Sequence, residues 1–239
     1  MARRGQAGSI AQDVYRLIRS SIFSGELEPG ARIQPAQLGA QYGASTTVVR
    51  EALQLLVGER LVRADAGKGF FVPEVGQQEA EDVTQVRCVI DGLALRMSIE
   101  RGDLDWESEV IAAHHRLVRT PRESAGADNH QSEEWAEVHR AFHRQLVSAC
   151  GSPTMLEISD QLQATTELIR VSVGPMVRSA KRNVAREHEL IVEAVLARDP
   201  DLAVQRLTEH YEATARLLAG QAADSAAGGT ASKVSAGVA

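Results

Sequence analysis

STTVVREALQLLVGERLVRADAGKGFFV, residues 45–72, holds a helix followed by a reversal of the chain. Ser45 or Thr46 suits a helix N-cap, and Val49, Ala52, Leu53 and Leu56 recur at the spacing that buries one helical face. The stretch LVRADAGKGFFVPEV then alternates around a Gly-containing turn, which predicts a β-hairpin. Upstream, PAQLGAQYG reads as a short helix opened by Pro35 and closed by Gly43, and ELEPGARI supplies a Pro-Gly turn. Residues 9–24 form a first helix, with Ile10, Val14, Leu17, Ile18 and Ile22 on its apolar stripe and Gly25 as its stop. Three helices and a hairpin within residues 9–75 predict a winged helix-turn-helix.

The texture changes past Pro73. GQQEAED is polar and predicts a linker at 76–80. From 80 to 219 apolar residues recur at helical spacing without strand-like alternation. Six helices are expected, roughly 79–101, 104–119, 131–150, 153–172, 176–198 and 201–219, broken most clearly at TPRESAGADNHQ and DPD. The tail, 220–239, is rich in Ala, Gly and Ser with almost no large apolar residue, so disorder is expected there. The expected fold class is mainly α: an N-terminal winged helix-turn-helix plus a C-terminal all-helical bundle of about six helices.

The composition, 44% hydrophobic and 24% charged over 239 residues, is that of a globular protein. Aromatics at 4% argue against a stacking platform for single-stranded nucleic acid. Two cysteines without CxxC spacing, no apolar run of membrane-spanning length and no apolar segment after MARRGQAGSI predict a cytoplasmic protein with no membrane partner. The net charge of −6 hides an asymmetry. Residues 1–76 hold 9 basic and 7 acidic residues, leaving 17 basic and 25 acidic residues for the rest. A mildly basic head on an acidic body is compatible with double-stranded DNA as a partner.

In a helix-turn-helix the second helix of the pair presents its N-terminal residues to the major groove. Ser45, Thr46, Thr47 and Arg50 stand in that position here, and Lys68 and Gly69 stand on the wing. Arginine bonds guanine bidentately or clamps a phosphate. Taken alone, the same residues also suit helix caps and a solvated charge.

A second constellation is HRAFH, residues 139–143, which sets two imidazoles one helical turn apart on one face. His188 in REHEL and His210 in TEHYE fall on two later helices joined by a short turn. Packed around one axis, these helices can gather His139, His143, His188 and His210 into a site for a divalent metal ion, zinc or nickel foremost. A histidine in a helix is more often a surface or satisfied core residue, and His114, His115 and His130 are read that way. Arg87 is a candidate partner for an anionic effector, or else a salt-bridge partner of Asp91 one turn on. Arg140 and Arg144 are expected to face away from the histidines into solvent.

The run ELEPGARI…LGAQYGASTTVVREALQLLVGERLVRADAGKGFFV resembles the N-terminal domain of GntR-family transcription regulators, over nearly all of residues 9–75. Arg50 and Gly69 match that pattern. The family's common arginine is replaced by Thr46, and a basic residue often found near Ala36 is missing. Residues 80–218, through VRCVIDGLALRMSIERG, VHRAFHRQLVSACGS and REHELIVEAVLARDPDLAVQRLTEH, resemble the FCD-type effector domain of the FadR subgroup. The resemblance implies a divalent metal held by one acidic residue and three histidines, at His143, His188 and His210. His139 stands where the family usually has aspartate, and Ser152 replaces a family asparagine. Four imidazoles make a more positive site than three with a carboxylate, which favours anions and disfavours hard cations. The resemblance also implies a homodimer that binds an operator and responds to a small carboxylate. Two alternatives remain: a regulator for which the metal is itself the signal, and a metal-dependent hydrolase. Against the last, HEXXH is absent, since His188-Glu189 is followed by Leu, Ile and Val.

Overall fold

The structure, a computed structural model, describes residues 2–122, 132–179 and 182–234. The N-terminal part comprises α1 (Ala2–Ser24), β1 (Arg32–Ile33), α2 (Pro35–Tyr42), α3 (Thr46–Gly58), β2 (Arg63–Asp65) and β3 (Gly69–Phe71). The three strands form one antiparallel sheet in the order β1-β3-β2, with Arg32 opposite Phe71 and Asp65 opposite Gly69. Ser45 caps α3 by accepting the Val48 N–H at 3.3 Å. A Cβ at Gly39 would lie 2.7 Å from the Ala44 carbonyl oxygen, so glycine allows the tight turn from α2 into α3. Val49, Ala52, Leu53 and Leu56 are buried as expected, packed on Val14, Ile18 and Ile22 of α1.

Two residues of the expected α1 stripe are not in the core: Ile10 is 44% exposed and Leu17 46%. The buried face is narrower, made by Ala11, Val14, Ile18 and Ile22, which repeat at spacings of three and four and leave Leu17 at the margin. The sequence also gave no sign of β1, a strand too short to show a period.

The remainder is built of α4 (Gln77–Arg101), α5 (Leu104–Arg119), α6 (Glu133–Val147), α7 (Pro153–Ser179), α8 (Val184–Leu196) and α9 (Pro200–Val234), with a single 3-10 turn at Ser148–Cys150. Helix α4 packs on α7 and α9, α5 on α6, and α8 on α9. Leu95, Val110, Phe142, Leu146, Ile191 and Val195 are fully buried at their centre. Asp103 caps α5 through the Trp106 N–H at 2.9 Å, and Asn183 caps α8 through the Arg186 N–H at 3.0 Å.

Three boundaries differ from expectation. Helix α4 starts at Gln77, so the connection is Pro73–Gly76 and the polar residues read as linker are helical. Helix α7 runs through Gly174-Pro175, where a break was expected, and α8 begins only after its Asn183 cap. Helix α9 continues to Val234, into the stretch expected to be disordered; alanine-rich sequence favours helix even without large apolar side chains. His130 lies outside the described residues.

The two parts share a core. Leu168 and Ile169 of α7, together with Val184, belong to the buried cluster that holds Ile18, Leu53 and Phe70.

Candidate functional site

Two places on the chain gather polar chemistry. The first is the face of α3 and the wing. Ser45, Thr46, Thr47 and Arg50 are all exposed along the start of α3. The Arg50 guanidinium carbon lies 5.8 Å from the Phe70 ring centroid, which sets this side chain against the wing. Lys68 is exposed in the β2–β3 turn, followed by Gly69 at φ 105, a left-handed region that favours glycine. Arg50, Lys68 and Gly69 line one concave surface with Arg32 and Asp65, which Ser45, Thr46 and Thr47 do not line. Arg32 escaped the sequence reading, because only the pairing of β1 with β3 carries it to the wing.

The second place is inside the helical bundle. His139 and His143 come from α6, His188 from α8 and His210 from α9, and all four are buried. One ring nitrogen from each lies within 4.8 Å of those from the other three. His139 Nε2 and His143 Nε2 are 3.1 Å apart. His210 Nδ1 lies 2.7 Å from Glu187 Oε2, and His188 Nε2 is buried without a hydrogen-bond partner. Arg170 Nη1 lies 2.9 Å from His139 Nδ1, and the Trp135 ring stacks on His139 at 4.6 Å between centroids. Arg170 is paired with Glu167 and is itself buried.

Electrostatics keep the four rings neutral. Burial, then Arg170 and the neighbouring histidines, pushes His139 well below the usual histidine range. Burial first, then neighbouring positive charge, does the same to His143 and His188. For His210 burial outweighs the support of Glu187, and the shift is again downward. Burial raises Glu187, but hydrogen bonds from His210 and Arg182 outweigh it and hold the carboxyl at about 2. Burial, with repulsion from Arg122 and Arg87, lowers Arg170 to about 9, still a cation at neutral pH. Neutral imidazole is the metal-binding form, and a carboxylate behind a ligand histidine fixes its tautomer. The donor set therefore fits a divalent ion of borderline softness.

Arg87 lies beside this cluster, but its Nε donates to Asp91 Oδ2 at 2.9 Å, the salt bridge weighed as one of its two readings. The Tyr211 hydroxyl donates to the same carboxylate oxygen at 2.9 Å, and the Arg87 guanidinium sits 4.0 Å from the Tyr211 ring centroid. Arg87, Arg170, Tyr211 and three of the histidines line a cavity of about 10 Å³, the size of one water molecule. Arg144 is half exposed and pairs with Asp160, as a surface charge should. Arg140 departs from expectation: instead of reaching solvent it lies over the Phe23 ring of α1. Arg170, Glu187 and Tyr211 went unnoticed in the sequence. Glu187 had a faint signal, a carboxylate beside a candidate ligand; Arg170 had none, lying 31 residues from its partner.

Residues 10–72 match the family described as bacterial regulatory proteins, gntR family, and residues 82–213 match the FCD domain. The chain belongs to the GntR family and carries an FCD domain. This GntR regulator is 32% identical over 206 residues to BphR of Paraburkholderia xenovorans (strain LB400), described as an uncharacterized HTH-type transcriptional regulator, covering 86% of the chain and 84% of that protein. It is 29% identical to the HTH-type transcriptional repressor GlaR of Escherichia coli (strain K12), over 83% of the chain and 90% of GlaR. The solved structure of E. coli McbR/YncC superposes with a TM-score of 0.69 at 22% identity, covering 89% of the chain and 98% of that structure, a likeness of fold. These families and relatives are transcription regulators, not enzymes, which removes the hydrolase reading. Among the described residues no helix is long and apolar enough to cross a membrane.

Proposed function

We propose that this GntR regulator is a cytoplasmic homodimer of the FadR subgroup whose buried histidine cluster holds a divalent metal ion and tunes operator binding. The observation that carries this reading is four buried imidazoles converging within 4.8 Å, with a carboxylate behind one of them. Ser45, Thr46, Thr47, Arg50, Lys68 and Gly69 form the surface that meets operator DNA, where exposed hydroxyls and cations suit phosphates and base edges. Dimerisation has a physical motive in Val86, Val89 and Leu93, which form an exposed apolar stripe on α4, with Val89 68% exposed. When bound, the metal supplies a positive centre for a small carboxylate, and Arg87 adds a second positive charge nearby.

One observation favours a second reading. A cavity of about 10 Å³ admits a single water-sized body, so the ion itself can be the signal, with no organic effector. Elemental analysis of untagged protein beside His188→Ala tests the core of the proposal. About one ion per chain, lost in the variant, supports it; no metal in either, even after incubation with zinc or nickel, refutes it. Operator titrations of the metal-loaded protein with and without small carboxylates then separate the two readings.

A further inference from the structure

We propose that His139 serves the cluster as a hydrogen-bond donor, held in its Nε2–H tautomer by Arg170, and that His143, His188 and His210 alone ligate the metal. The ligand half of this proposal rests on the metal reading above; the tautomer half does not.

The protons can be assigned in sequence. A guanidinium has donors and no acceptor, so the 2.9 Å contact from Arg170 Nη1 requires a bare Nδ1 on His139. A neutral His139 then carries its proton on Nε2. That N–H faces His143 Nε2 at 3.1 Å, which must accept. His143 therefore carries its proton on Nδ1, 3.4 Å from the Tyr211 hydroxyl oxygen. The Tyr211 O–H in turn donates to Asp91 Oδ2 at 2.9 Å, and Arg87 Nε donates to the same atom. Every proton from Arg170 to Asp91 points the same way: each ring accepts at one nitrogen and donates from the other, and the Tyr211 hydroxyl accepts from His143 and donates to Asp91. Turning the His139 ring over would put carbon atoms at both of its polar contacts. The Trp135 ring stacked on it, with Arg170 over the far ring at 5.3 Å, opposes that rotation.

The other rings are set the opposite way. His210 places its Nδ1–H on Glu187 at 2.7 Å and leaves Nε2 bare. His188 Nε2 is buried and makes no hydrogen bond. His143 and His210 therefore offer the cluster a lone pair, His188 has its unpartnered Nε2 free to offer a third, and His139 offers a proton. A metal takes lone pairs. Three neutral imidazoles with a position left open form a familiar zinc arrangement. The His139 N–H then suits an oxygen in the open position, water or the carboxylate of a small anion. An aspartate at this place would be an acceptor and a ligand. Histidine backed by arginine reverses that polarity and makes the site selective for an anionic oxygen.

Two measurements test this. The first is long-range 1H–15N correlation of the histidine rings in chelator-treated wild-type protein, which needs neither metal nor variant. The expected pattern for His139 is a protonated Nε2 and a bare Nδ1, changing in Arg170→Met. A proton on His139 Nδ1 in the wild type, or an imidazolium, would overturn the proposal. The second is zinc affinity by competition with a chromophoric chelator. His139→Gln, which keeps a donor but offers no imidazole, is expected to lose no more than about tenfold, as for a residue behind the ligands. His143→Gln and His188→Gln should each lose more than about 100-fold, and Arg170→Met, which frees His139 Nδ1 and Nε2 to exchange the proton, should bind zinc more tightly than wild type. Equal losses in His139→Gln and His143→Gln would make His139 a ligand and sink the idea. Wild-type protein that binds no zinc would instead defeat the metal reading, and the ring pattern would still decide the tautomer.

Discussion

Arg140 places its guanidinium carbon 5.4 Å from the ring centroid of Phe23, joining the helix that carries His139 and His143 to the first helix of the DNA-binding part. Phe23 also carries Arg19, with its guanidinium carbon 4.6 Å from the ring centroid. Arg140 is the immediate neighbour of His139, so a shift of α6 on metal binding would reach α1 through this contact. Replacing Arg140 by Ala should leave zinc affinity within about twofold and shrink the effect of zinc on operator affinity, since allosteric couplings are typically only about 1–3 kcal/mol. Operator titrations with and without zinc measure this. An undiminished zinc effect would route the coupling elsewhere.

Arg50 is exposed at the start of α3 and shares its surface with Lys68. For Arg50→Ala, operator binding should weaken by about 1–3 kcal/mol if the side chain reads a base. Against phosphate alone, the loss would be uniform across sequences and the slope of log K on log salt would fall by about 0.9. Anisotropy titrations at several salt concentrations distinguish the two. No change in either would remove Arg50 from the reading surface.

The four buried histidines make the metal-free protein acid-sensitive. Their folded values lie below the ordinary 6.5, so below that pH the unfolded chain binds more protons than the folded one. The stability they contribute is complete above the unfolded value and is lost as pH falls below it, by about 1.4 kcal/mol per pH unit for each ring involved. Urea unfolding at pH 7.5, 6.5 and 5.5 should show this slope, reduced in His143→Gln. Glu187, held at about 2 against 4.5, acts in a lower window: its contribution is present above 4.5 and disappears as pH drops toward 2. In Glu187→Gln that second, more acidic loss should vanish. A flat profile between pH 7.5 and 5.5 would mean the rings are not buried neutral.

The Phe142 ring centroid lies 5.3 Å from that of His143 and 5.2 Å from that of His188. It is fully buried. Truncation to Ala should destabilise the protein by about 3–5 kcal/mol. Phe142→Leu is the more informative variant: it should fold, and bind zinc about tenfold more weakly, because the rings lose the wall that fixes them. Unchanged zinc affinity would show that the backbone alone sets the ligand geometry.

What the sequence disclosed depended on the range of the interactions involved. The α3 stripe, the hairpin and the i, i+4 histidine pair are local and periodic, and each was legible. His188 and His210 were joined to them through resemblance and the short α8–α9 turn. Arg170 was invisible, because it meets His139 only through the packing of α7 on α6, and Tyr211, though next to His210 in the chain, gave no sign that it reaches His143 and Asp91 on other helices. The break expected at Gly174-Pro175 failed for a related reason: local propensity pointed to a stop, and α7 continued. Leu17 and Ile10 were misplaced because an apolar residue at the margin of a stripe obeys the same period as one at its centre.

Leu168, Ile169 and Val184 complete the core that α1, α3 and the wing begin. Cut free near Pro73, the DNA-binding part would lose the packing of α7 and α6 on α1 and part of the apolar cluster it shares with the bundle. Heating should therefore give one calorimetric endotherm, with a van't Hoff enthalpy close to the total, and not two separate melts. The head is also not an interchangeable cartridge: grafted onto a foreign effector body, it would fold well only where that body offers α1 a comparable apolar helix face.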